Sequence, residues 1–275
     1  MKWTVVIAVL AIIFVTSPGY AGAKKAPAQA LEIEADNGIE WIRDQRMYVA
    51  RGNARATQGD AAVFADELTA YYRDGDADKD RPRKDGANKD GANKDKKDGQ
   101  TIFRIDADGH VRVQSRNNQA FGDQGVYHVE QAVFVLVGKA LRLETGQVKI
   151  TARDSLEYWE DRQLAVARGG AIVTSGERRL KADIITAHID NQAGQDIKRI
   201  DAFGNVVIST LNVIARGAEG VYNPGTSIAT LCGGVKITRG ENQLNGECAE
   251  VNLKSGKSRL IGGRSRVKGL LSPKK

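Results

Sequence analysis

The chain repeats itself. Shifted by 117 positions (150 − 33), residues 33–72 lie on residues 150–189 without a gap, and 15 of the 40 aligned residues are identical. Average residue usage gives only about 6–7% identity by chance, so this is a duplication. A second window, residues 105–127, returns at 200–222 with an offset of 95. The two offsets differ by 22 residues because the first copy carries an insertion. A duplication of this kind restricts the fold to architectures that stack equivalent units.

Within the copies a finer period is marked by Gly52, Gly109, Gly138, Gly169, Gly204 and Gly233. After the insertion is subtracted, the spacings are 35, 29, 31, 35 and 29, each enough for two strands and their turns. Apolar residues occupy the second and fourth positions after five of the six glycines: Ala54 and Ala56, Val111 and Val113, Ala171 and Val173, Val206 and Ile208, Val235 and Ile237. Period-2 alternation makes one face of each strand apolar and the other wet. The unit at Gly138 is out of phase, with Leu141 and Leu143 displaced by one residue, as a β-bulge would produce. No helical period of useful length appears after residue 23, so the expected fold is all-β, an elongated sheet in one domain over residues 31–260.

Residues 1–23 have the pattern of a cleaved signal peptide: Lys2, an apolar run over residues 5–15, and Ala21-Gly22-Ala23. The apolar run is short for a membrane span of about 20 residues, although an uncleaved anchor is the alternative. The mature chain is expected to begin near Lys24, to be exported, and to open with a flexible leader over residues 24–30. Residues 74–100 contain the tandem Asp85-Gly-Ala-Asn-Lys-Asp-Gly-Ala-Asn-Lys-Asp95 and have no apolar face, so a disordered charged loop is expected there. Residues 261–275 read as a basic, frayed tail, either solubilising or in contact with anionic headgroups.

The search for chemistry excludes more than it finds. Catalytic sites gather one unrepeated cluster of titratable groups, whereas here the carboxylates recur with the repeat, Asp66 with Asp183 and Asp106 with Asp201. Turn and strand-end roles are expected for them. His110, His128 and His188 stand apart from any metal-ligand spacing, and no nucleophile elbow or phosphate-cradling loop is present, so no enzyme activity and no cofactor are expected. Trp41 and Trp159 are expected to cap the sheet edge as apolar plugs, with ligand or subunit contact as the alternative. Cys232 and Cys248 flank the strand at 235–238, which allows a disulfide in an exported chain or else two buried thiols. The net charge of +7 suits an anionic partner, an acidic lipid or glycolipid rather than nucleic acid, since aromatics do not interleave with the basic residues.

With Ile33-Glu-Ala-Asp36, Ala50-Arg-Gly-Asn-Ala54, Thr57-Gln-Gly59 and Ala65-Asp66 following a signal sequence, the chain resembles the OstA/LptA family of periplasmic lipopolysaccharide-transport proteins. The resemblance spans residues 31–260. It implies an open β-jellyroll whose apolar interior carries the acyl chains of lipid A. It further implies an LptC-like inner-membrane partner, an LptD-like outer-membrane translocon and head-to-tail self-association between them. Leu31 and Ile33 match the family's N-terminal lipid-contacting strand. From alternation, Ala54, Ala56, Val111, Val113, Val133, Val135, Leu141, Leu143 and Ile150 are expected to line the same groove. The alternatives are an LptC-like anchored member of the same system, a structural β-solenoid, or a polysaccharide-acting β-helix enzyme.

Overall fold

The computed structural model describes residues 31–74, 100–115, 118–146, 148–190, 196–252, 254–255, 257–263 and 266–272. The stretches read as signal peptide (1–23) and leader (24–30), and all but the two ends of the 74–100 insertion, therefore lie outside the described residues.

The described chain is a succession of antiparallel strands: β1 Glu32–Glu34, β2 Ile39–Ile42, β3 Met47–Gln58, β4 Ala61–Asp74, β5 Gln100–Ser115, β6 Asn118–His128, β7 Val133–Val137, β8 Arg142–Thr145, β9 Val148–Thr151, β10 Ser155–Trp159, β11 Leu164–Ser175, β12 Arg178–Asp190, β13 Asp196–Ser209, β14 Ile214–Asn223, β15 Ile228–Arg239, β16 Asn242–Asn252, β17 Ser258–Ile261 and β18 Lys268–Leu270. Most strands pair with their sequence neighbours, and all the strands belong to one sheet. The fold class is all-β, as the alternation requires.

The periodic glycines bend this sheet. Gly109 and His110 both have positive φ (77° and 45°) and together oppose the single residue Asp123 on β6, and Gly204 with Asn205 (75° and 49°) likewise opposes Ala218 on β14. Two residues against one is a β-bulge, which kinks its strand and increases the local twist. Equivalent bulges lie at Gly52, Gly169 and Gly233, so five long strands are bent at the same level. The sheet folds along that line into two facing walls. One wall contains β2, β7, β10 and β17; the other contains β1, β8, β9 and β18. Gly138 marks a larger version of the same device. Residues 138–141 oppose only Gly122 and Asp123, and this divides what is elsewhere one long strand into β7 and β8.

The repeat appears as a junction inside the chain. β1 and β2 begin the first copy as edge strands, each paired, among the described residues, only with β3. Their equivalents β9 and β10 begin the second copy, but they are paired on both sides, β9 with β8 and β11 and β10 with β7 and β11. The second copy is thus added to the first by continuing the hydrogen-bond ladder of both walls. At the far end β17 and β18 cover β16. The segment read as a frayed basic tail therefore contributes the last edge strand, β18.

Cys232 and Cys248 are direct partners on β15 and β16, joined by a disulfide with Cα atoms 4.1 Å apart. Of the two alternatives left by the sequence, the structure has the disulfide.

Candidate functional site

The candidate site is the space between the walls. On the first wall the register runs Ile39, Ala50, Leu68, Ala107, Gly125, Leu136, Leu156, Ala167, Ile185, Ala202, Gly220, Leu231, Ala249 and Leu260, one residue per strand. On the second wall it runs Ile33, Ala56, Val63, Val113, Ala120, Leu143, Ile150, Val173, Leu180, Ile208, Ala215, Ile237 and Leu244. Two uninterrupted lines free of polar side chains therefore pass through both copies and across the junction. Apart from the glycines, Ile39 and Leu244, their members pack into one apolar cluster drawn from both walls.

Ala54, Ala56, Val111, Val113, Leu141, Leu143 and Ile150 are buried members of that cluster, and Leu31 and Ile33 pack against its edge. Val133 and Val135 do not belong with them. Phe134 and Leu136 point inward, so their neighbours point out, and Val135 pairs with Glu157 on the outer face. The run of apolar residues at 132–137 carries no alternation from which to read its phase, and a slip of one residue reverses every side chain. The groove residues expected from the sequence stop at Ile150, although the alternation after Gly169, Gly204 and Gly233 also marks inward positions in the second copy, and these belong to the same cluster. At the junction Val148, Ile150, Leu156, Ala165, Leu180, Ile185 and Ile200 line a cavity of about 60 Å³. This pocket is partly open, is lined almost wholly by apolar side chains with Ser175 as the polar exception, and fits only a short piece of hydrocarbon.

The outer faces hold the polar groups. Asp106 accepts from Arg104 Nε at 2.6 Å; Asp201 accepts from Arg199 Nε at 2.7 Å and pairs with His188 Nε2 at 2.9 Å. Burial pushes the Glu157 carboxyl up, but hydrogen bonds from Arg168, Ser155 and Trp159 outweigh it and hold the group below the usual range. Asp66 and Asp183 sit beside the bulges, where they pair with His110 and Asn205. All four repeated aspartates are therefore in mid-strand, not in turns or at strand ends. A bulge exposes a gap that a short carboxylate fills, and an outward carboxylate takes an arginine two residues away on its own strand. Trp41 lies on edge strand β2 and donates Nε1–H to Tyr72 at 2.7 Å. Trp159 faces outward on β10, an internal strand, so it caps no edge.

At the rim of the interior, Glu160 is pushed up to about 7 by burial, against the hydrogen bond it shares with Tyr127. Its Oε1 is buried without a hydrogen-bond partner among the described residues. Among those residues no group of three or more His, Cys, Asp or Glu could hold a metal ion, and no helix is long and apolar enough to cross a membrane.

A family model described as LptA/(LptD N-terminal domain) LPS transport protein matches residues 32–154 and again 149–257. The chain belongs to this family. The two matches meet at β9 and β10, so each structural copy corresponds to one LptA/LptD N-terminal unit. The crystal structure of LptH, the LptA-homologous periplasmic component of the lipopolysaccharide transport device from Pseudomonas aeruginosa, is similar at 18% identity, TM-score 0.41, covering 46% of this chain and 95% of that one. No curated protein matches the chain. Membership of this family makes the chain a lipopolysaccharide-transport protein.

Proposed function

We propose that this protein is exported to the periplasm by residues 1–23 and carries lipopolysaccharide there, holding the acyl chains of lipid A between its two walls. The observation that carries this reading is the unbroken apolar line on each wall, which passes from β1 and β2 to the C-terminal edge without a polar side chain. A packed core needs only to be closed; a line open at both ends also suits a sliding hydrocarbon chain. At about 25 cal/mol per Å² of apolar surface removed from water, a multi-chain lipid gains tens of kcal/mol by leaving water, so its passage requires cover throughout. The cavity is too small for such a load, and loading therefore requires the walls to part along the bulged spine.

The protein also serves as a bridge. Ile39 and Trp41 on β2 are 50% and 44% exposed, and at the other end Ile261, Leu270 and Leu271 are exposed as well. Apolar edge strands with free ladder groups are templates for strand addition. The internal junction supplies the geometry: β17 and β18 of one copy receive β2 and β1 of the next, as β7 and β8 receive β10 and β9. Because the two edges differ, the contact is heterologous and propagates. The N-terminal edge faces an LptC-like inner-membrane protein, and the C-terminal edge an LptD-like translocon.

Mass spectrometry of an organic extract of the purified mature chain, produced in a lipopolysaccharide-making host, tests cargo binding. Lipid A species at near-stoichiometric yield are expected. An extract without them contradicts the reading.

A further inference from the structure

The outer face of the second wall carries a row of cations that the cargo site does not use. In register across the strands, Lys181 on β12 pairs with Val207, then Arg216, Lys236, Asn245 and Lys268 on β18. The four basic side chains are exposed, and among the described residues none forms an ion pair. In the first copy the corresponding row is Arg55, Phe64, Arg112, Phe121 and Arg142. There Arg55 and Arg112 flank the Phe64 ring, Arg142 lies over Phe121, and Arg55 and Arg142 also meet Glu34 and Glu144. In one copy the arginines of the row are thus engaged by rings, and two of the three by carboxylates, while in the other copy the row is left open.

We propose that this open row binds an extended anionic polysaccharide along the outside of the second copy. Strands about 4.8 Å apart put the four cations along a track of about 25 Å, with gaps of about 5–10 Å. The next row on the same face is Thr174, Arg179, Ser209, Ile214, Thr238 and Gln243, which offers hydroxyl and amide groups beside the cations. Alternating charge and neutral hydrogen-bonding groups match a sugar chain bearing carboxylates. Among the described residues of β12–β18, Asp183 and Glu247, in the bulge row, are the strand carboxylates on this face, Glu177 and Glu241 lie in the turns at its end, and Asp183 is occupied by Asn205. A twist of roughly 20–25° per strand turns the track through about 100° over its length, so a flat bilayer meets only part of it while a flexible chain follows it. The row holds no free aromatic face on which bases would stack, which disfavours nucleic acid. The sheet itself separates the track from the interior, so glycan and cargo bind independently.

The test uses the mature chain with Lys181→Gln, Arg216→Gln and Lys236→Gln combined, against a control with Arg55→Gln and Arg142→Gln. Binding to polygalacturonate, to inorganic polyphosphate and to vesicles containing phosphatidylglycerol is measured at increasing salt. Polygalacturonate binding that weakens with salt, and is about tenfold or more weaker in the triple variant but little changed in the control, is expected. Thermal unfolding and lipid content of the triple variant should match the parent. Equal binding by parent and triple variant overturns the proposal, as does equal loss in the control. Binding to polyphosphate or to vesicles without binding to polygalacturonate overturns the assignment to a glycan.

Discussion

Gly109 and Asp66 share a space with room for one side chain. A Cβ on Gly109 would fall against the Asp66 carboxylate closer than real Cβ atoms approach, and that carboxylate already accepts a hydrogen bond from His110 Nδ1–H at 2.8 Å. The second copy repeats the arrangement with Gly204, Asp183 and Asn205. The bulge, the missing Cβ and the carboxylate form one unit that sets where the sheet folds.

Substitution separates the two demands made on these glycines. Gly204→Ala meets both a positive φ of 75° and the Asp183 carboxylate, whereas Gly170→Ala, at φ 65°, has nothing within 4 Å. The first should cost about 3 kcal/mol and the second about 1 kcal/mol. Urea midpoints of the two variants check the order, and equal costs would show that the carboxylate contact is irrelevant.

The disulfide closes a separation of 16 residues near the C-terminal edge. Cys248→Ser with Cys232→Ser should destabilise the protein by about 2–3 kcal/mol, on the chain-entropy estimate for a loop of this size. Denaturant unfolding, compared with and without reductant, reads the difference.

Glu160 predicts a pH dependence of definite sign. Its folded pKa of about 7 lies above the ordinary 4.5, so between those values the folded state holds a proton that the unfolded state lacks. Stability therefore falls as pH rises from about 4.5 to about 7, by no more than about 3 kcal/mol. Glu160→Gln should flatten that slope and raise the melting temperature at pH 8. A parent and variant with parallel pH profiles would remove Glu160 from the explanation.

Much of this architecture is legible in the sequence because the bulge needs glycine and the bulge recurs. After Gly52, Gly109, Gly169, Gly204 and Gly233 the alternation assigns the inward residues correctly. It fails at Val133 and Val135, where an unbroken apolar run has no phase of its own. There the pairing of Leu136 with Leu156 decides the face. The aspartates mislead for a different reason: their recurrence with the repeat reads as a turn or strand-end role, and only the strand pairing shows that Asp66, Asp106, Asp183 and Asp201 lie in mid-strand. Trp159 likewise reads as an edge residue until β10 is seen to lie between β7 and β11.

For the proposed head-to-tail association the internal junction offers a register. Leu136 meets Leu156 there, and the residues on the same inner line at the free ends are Leu260 and Ile39. In concentrated solution Leu260→Cys in one copy should form a disulfide with Ile39→Cys in the next, giving ladders of covalent oligomers. Crosslinking instead through Phe203→Cys on the exposed outer face would contradict the head-to-tail arrangement.

Photo-crosslinking tests the location of the cargo most directly. Ile33 and Val113 belong to the inner line of the second wall, while Glu32 and Arg112, one residue away on the same strands, point outward. Crosslinkers at Ile33 and Val113 should capture lipopolysaccharide in cells, and those at Glu32 and Arg112 should not. Equal capture at all four positions, or capture at the outward pair alone, would contradict carriage between the walls.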